Sequence, residues 1–123
     1  MVGNLINSKE SNLLLDNFIR RFVAAEYDPK KQKRCRLLWT NLKCKGELLS
    51  IDEFEKIPIE VSTEVYFYNE REKKMYRASF AEIADYIGGL EPWEEIDAEI
   101  FDGSFQWFIC VTHEDFCITY GLS

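Results

Sequence analysis

The chain predicts an α+β domain built on a mainly antiparallel sheet, and three observations lead there. First, residues 105–112 alternate strictly. Phe105, Trp107, Ile109 and Val111 fall on one face, and Gln106, Phe108, Cys110 and Thr112 on the other. Both faces are largely apolar, the pattern of a strand covered on both sides. Second, turn signals flank that strand: Asp102-Gly103 before it and His113-Glu114-Asp115 after it. Third, near the N-terminus the apolar spacing changes to three and four residues, the period of an amphipathic helix. The 123 residues are the length of one domain. We expect about five strands, with the N-terminal helix packed on one face of the sheet.

In order, residues 7–26 form that helix. Asn7 or Ser8 caps it, and Glu10 follows Asn7 at capping-box spacing. Leu14, Leu15, Phe18, Ile19, Phe22 and Val23 make its apolar face, and Asp28-Pro29 ends it. A basic run follows, Lys30, Lys31, Lys33, Arg34 and Arg36. It reads as an anion patch or as a solvated connection, and the absence of interleaved aromatics favours the connection. Residues 37–42 fit a strand or a short helix equally. Residues 43–47 read as a turn.

Ser50-Ile51-Asp52-Glu53 is a second capping-box pattern, opening a helix of one or two turns that stops before Pro58. Residues 59–68 read as a strand, with Val65 and Phe67 on one face and Glu64, Tyr66 and Tyr68 on the other. A polar turn at 69–73 leads to a return strand at 74–78. Ser79-Phe80-Ala81-Glu82 is the third capping box and opens a helix over 80–87. Gly88-Gly89 offers it a left-handed stop. The last three strands are expected at 94–101, 105–112 and 116–120.

Composition bounds the function. Hydrophobic residues make up 46% of the chain and aromatics 15%, enough for a core without disulfide staples. The four cysteines, Cys35, Cys44, Cys110 and Cys117, are widely spaced with no C-x-x-C. That favours reduced thiols over a disulfide framework or structural zinc. No apolar run approaches a bilayer span, and the N-terminus lacks a basic-then-apolar signal. A soluble cytoplasmic protein, with no membrane association and no cofactor, is expected. Net charge is −7, divided as +6 over residues 1–46 and −13 over residues 47–123. An acidic C-terminal body repels phosphate and argues against nucleic acid.

Three constellations bear on chemistry. His113 is the only histidine and has Glu114 and Asp115 beside it. Acids of that kind favour its charged form and suit general acid–base work, although a histidine at a strand end also simply hydrogen-bonds its turn. No nucleophile accompanies it: Ser104 lacks the strand-to-helix context of a nucleophile elbow. The second constellation is the acidic run Glu91, Glu94, Glu95, Asp97, Glu99 and Asp102. Alternation puts Glu95, Asp97 and Glu99 in one row about 7 Å apart, with Ile96, Ala98 and Ile100 inward. The row is not a calcium loop, and the chain is short for a sugar cleft. It reads either as a solvated strand face or as a surface complementary to a basic protein. The third is the pair Tyr66 and Tyr68, beside Glu64. They are interface anchors or the second buried side of the sheet.

The stretch Trp93-Glu94-Glu95-Ile96, Phe101-Asp102-Gly103-Ser104-Phe105-Gln106-Trp107 and Val111-Thr112-His113-Glu114-Asp115 resembles the C-terminal ends of small bacterial immunity-type proteins. The likeness covers about a quarter of the chain. It implies a non-enzymatic antidote that binds and blocks one cognate toxin. The expected partner-binding set is Glu94, Glu95, Asp97, Glu99, Asp102, Tyr66 and Tyr68, with no catalytic or metal-ligating residue. The competing expectation is a small-ligand protein or enzyme using His113. A deep apolar pocket holding His113 favours that alternative; a ring locked into its turn with no cavity favours the binder. A third reading is a regulatory subunit that self-associates through Phe18 and Phe22.

Overall fold

The structure, a computed structural model, describes residues 3–23, 38–43 and 45–122. The basic run at 30–36, and Cys35 and Cys44, lie outside the described residues. Strands β1 (Asn4–Leu5), β2 (Glu47–Ser50), β3 (Glu64–Asn69), β4 (Lys74–Ser79), β5 (Ala98–Phe101), β6 (Phe108–Val111) and β7 (Phe116–Tyr120) form one sheet in the order β1-β4-β3-β5-β6-β7-β2. Every pairing is antiparallel. The α+β class holds, but the sheet has seven strands rather than five. The two extra ones, β1 and β2, are its edges. Each exists by pairing with β4 or β7, and a strand of two or four residues carries too little alternation to be read locally.

Helix α1 (Ser8–Phe22) is capped as expected: the Asn7 side chain accepts the Glu10 N–H at 2.9 Å. It stops at Phe22, short of the expected 26. Val23 is extended and bridges Leu42. Leu38–Asn41 is a single 3-10 turn, which resolves the ambiguity of that stretch, and Ile51–Lys56 is a second one, capped by Ser50. Helix α2 (Phe80–Gly88) opens on a complete capping box between Ser79 and Glu82. Its stop is not left-handed, because Gly89 has φ −91° and ψ 0°.

Three expected strands are shorter than their apolar pattern: residues 59–63 are irregular, so β3 begins at Glu64 rather than at 59. Residues 94–97 are irregular before β5, and Phe105 has φ 52°, so β6 begins only at Phe108. The Asp102 carboxylate accepts the Ser104 N–H and Oγ–H at 2.9 and 2.6 Å. That local turn competes with the ladder and lengthens the connection.

Alternation along β3, β5 and β6 divides the core into two layers. One face packs Val65, Phe67, Ala98, Ile100, Ile109 and Val111 against α2 and the Ile51–Lys56 turn, where Phe54 stacks on Phe80 at 5.2 Å. The other packs Tyr68, Met75, Phe101, Phe108 and Cys110 under α1 and Leu38. Phe18 and Phe22 are fully buried there, with ring centroids 4.9 Å from Phe101 and 4.8 Å from Phe108 respectively. These two phenylalanines therefore face the sheet and not a second helix, which removes the basis for self-association through them. Among the described residues no helix is long and apolar enough to cross a membrane.

Candidate functional site

Asp97, the residue just before β5, organises the site. It is fully buried, and four donors converge on its carboxylate. The Trp39 indole Nε1–H and the His113 backbone N–H donate to Oδ1 at 2.9 and 3.2 Å. Arg71 Nε donates to Oδ2 at 2.8 Å, and His113 Nδ1 lies 2.9 Å from Oδ1. A carboxylate facing a guanidinium only accepts, so Nδ1 carries the ring hydrogen and Nε2 is left as the acceptor of the neutral ring. Local structure sets up each partner. The 3-10 turn presents Trp39, the β3–β4 hairpin presents Arg71, and the turn after β6 presents His113. Trp39 then meets the His113 ring edge-on at 5.9 Å and Phe116 at 5.7 Å.

Beside this hub lie two further carboxyls. Glu99 is fully buried, and among the described residues neither of its carboxyl oxygens has a hydrogen-bond partner. Glu70 accepts the Leu38 N–H through both oxygens, at 2.9 and 3.1 Å. The Glu70 and Glu99 carboxyls interact without closing a regular hydrogen bond. Burial pushes Glu70 up to about 7, against the pull of the Leu38 N–H. Burial first, then the neighbouring Glu70, holds Glu99 well above the usual carboxylate range. Cys110, opposite Glu99 in the ladder, is a free thiol raised by burial and by the same acids.

His113 also lines a cleft of about 490 Å³ between the Ile51–Lys56 turn, α2 and the segment before β5. The charged residues on its walls are Asp52, Glu55, Glu91, Glu94 and Asp115. No Lys or Arg is among the described residues that line it. Trp93, between the lining residues Pro92 and Glu94, is 76% exposed. Among the described residues no group of three or more His, Cys, Asp or Glu is placed to hold a metal ion.

The expected partner-binding residues therefore separate. Glu94 and Glu95 are exposed before β5, with Glu95 3.5 Å from Arg71. Asp97 and Glu99 are not part of a solvated row: both are fully buried beneath the layer that holds α1 and Leu38. Asp102 caps its turn at the far end of β5. Tyr68 is buried, and Tyr66 packs into the same layer with the Arg77 guanidinium 5.7 Å above its ring. Glu70, Arg71, Trp39, Asp52 and Glu55 were not legible as site residues. Glu70 and Arg71 sit in what reads as a polar turn, and nothing local marks the long-range partners they find. His113 is held in place and yet borders a cavity, so its geometry alone does not choose between binder and enzyme. Searches of protein-family models, curated proteins and solved structures found no match for this chain.

Proposed function

We propose that this chain is a non-enzymatic protein-binding protein, in its concrete form an immunity-type antidote, and that it engages a basic toxin surface through the acidic cleft and its rim. One observation carries the reading. The cleft walls bear five carboxylates, and no Lys or Arg is among the described residues that line it. Walls of one sign focus the field into the cleft and steer a cationic partner toward it. Trp93 supports the same reading, because an exposed tryptophan flanked by acids makes an interface anchor and a cation–π platform. Glu94 and Glu95 stay in the partner-facing set. Asp97 and Glu99 are buried and leave it, and Asp97 instead holds His113 on the cleft wall. If the toxin is a nuclease, the carboxylates stand where it expects phosphate.

The test is a pull-down of the tagged protein from its native cells at low and high salt, with mass spectrometry of the retained species. A stoichiometric basic partner whose activity is inhibited on binding supports the antidote. A preparation that retains no protein at either salt concentration overturns it.

A second reading has its own observation: His113 borders the cleft with Nδ1 fixed by Asp97, as a general base would be. Replacing His113 by Gln separates the two. The variant keeps partner binding if the protein is an antidote and loses turnover of a cleft ligand if it is an enzyme.

A further inference from the structure

Glu99 presents a physical problem that its surroundings answer only in part. Among the described residues nothing donates a hydrogen bond to its fully buried carboxyl, and a bare charge there is costly, so the group is held neutral by a proton. Its neighbour Glu70 is bound differently, gripping the first amide of the Leu38–Asn41 turn with both oxygens. The next residue, Trp39, donates to Asp97, and Asp97 holds His113 on the cleft wall. Hydrogen bonds on either side of the Leu38–Trp39 peptide link thus connect Glu70 to the cleft wall. We propose that Glu70 and Glu99 form a proton-holding pair that latches the Leu38–Asn41 turn. Loss of the retained proton loosens the turn and, through Trp39 and Asp97, the His113 wall.

The groups facing the pair set the direction. Asp97 lies two residues from Glu99 on the same chain segment, while Tyr68 on β3 and Cys110 on β6 stand opposite Glu99 in the ladder. Helix α1 contributes Phe18 and Phe22 to this layer. Among the described residues, positive charge near the pair is scarce. Lys73 is exposed in the hairpin, Arg71 is engaged by Asp97 and Glu95, and His113, when protonated, faces Asp97. A second negative charge in the pair therefore meets Asp97 with little to offset it. The upward displacement of both glutamates agrees with a pair that keeps a proton near neutral pH.

The experiment is amide exchange by NMR on the full chain between pH 5.5 and 8.5, corrected for the intrinsic rate, together with the Trp39 indole N–H resonance. Expected in the wild type is a fall in Leu38 protection of up to about tenfold per pH unit, accompanied by movement of the indole resonance. In Glu99→Gln, which keeps the shape and cannot ionise, protection stays flat. Glu70→Gln, which keeps a carbonyl acceptor for Leu38, is the second variant and is also flat. Wild-type protection that does not change with pH overturns the latch, as does the same slope in whichever variant folds. A falling Leu38 protection with an unmoved indole resonance overturns the connection to the cleft.

Discussion

His113 Nδ1 lies 2.9 Å from Asp97 Oδ1, and the same oxygen takes the Trp39 indole N–H at 2.9 Å. One buried carboxylate therefore joins the turn after β6 to a 3-10 turn whose Trp39 lies 58 residues before Asp97 along the chain. Because Asp97 also takes Arg71, its removal leaves an indole and an imidazole without their acceptor and the guanidinium with Glu95 alone at 3.5 Å. The site is held from inside the protein.

We expect Asp97→Ala to lower stability by about 1–3 kcal/mol, the cost of leaving buried hydrogen-bond donors without their acceptor. Asp97→Asn, which keeps one acceptor oxygen, should lose less. Urea denaturation at neutral pH measures both. A change within about 0.5 kcal/mol for the alanine variant, the scale of an ordinary surface substitution, would remove Asp97 from the centre of the site.

Stability should fall as pH rises from about 5 to about 7. Glu70 is raised from 4.5 to about 7 in the folded protein, so between those values the native state holds more protons than the unfolded chain. Its contribution is complete below 4.5 and is lost as pH climbs through about 7, and Glu99 extends the loss to higher pH. For Glu70 alone the effect is on the order of 3 kcal/mol. Urea midpoints at pH 5 and pH 8 check the sign, and a more stable protein at pH 8 would refute it.

The triple variant Glu55→Gln, Glu91→Gln, Glu94→Gln should fold normally, since all three side chains belong to exposed residues. Its affinity for the captured basic partner should drop by at least about tenfold, given coupling of roughly 1.5–7 kcal/mol for close interfacial charge pairs. Trp93→Ala should weaken binding further with little change in stability. Isothermal titration gives the affinities, and an unaltered dissociation constant in the folded triple variant counts against the cleft.

Phe18→Ala should cost about 3–5 kcal/mol, as for other fully buried phenylalanines. Its ring packs on Phe22, Phe101 and Phe108, which ties α1 to the middle of the sheet. Thermal melts give the loss. Sedimentation of the wild type at two concentrations should show no dimer that Phe18→Ala abolishes, because these rings are buried in the monomer core.

Much of the fold was legible because periodicity is a local property. Val65 and Phe67, Ala98 and Ile100, and Ile109 and Val111 fall on one face as their alternation requires. The Asn7 and Ser79 caps sit where side-chain chemistry puts them. Edge strands β1 and β2 were not legible, since each is defined by its partner. The site was legible only in its parts. His113 and the acids before β5 stand out by residue type, but the Asp97 and Glu99 row looked solvated. Alternation assigns a side chain to a face and says nothing of what covers that face.

The sequence by itself determined an α+β class, the two-sided burial of β6, the helix starts and the excess of acid after residue 46. These follow from short-range sterics, capping and composition. Only the tertiary structure decided that α1 and Leu38 lie over the face bearing Asp97 and Glu99, that Glu70 reaches Leu38, and that Asp52, Glu55, Glu91, Glu94 and Asp115 share one cleft. Those contacts join residues far apart in the chain. They arise because burying α1 against the sheet is favourable enough to carry nearby carboxyls out of water with it.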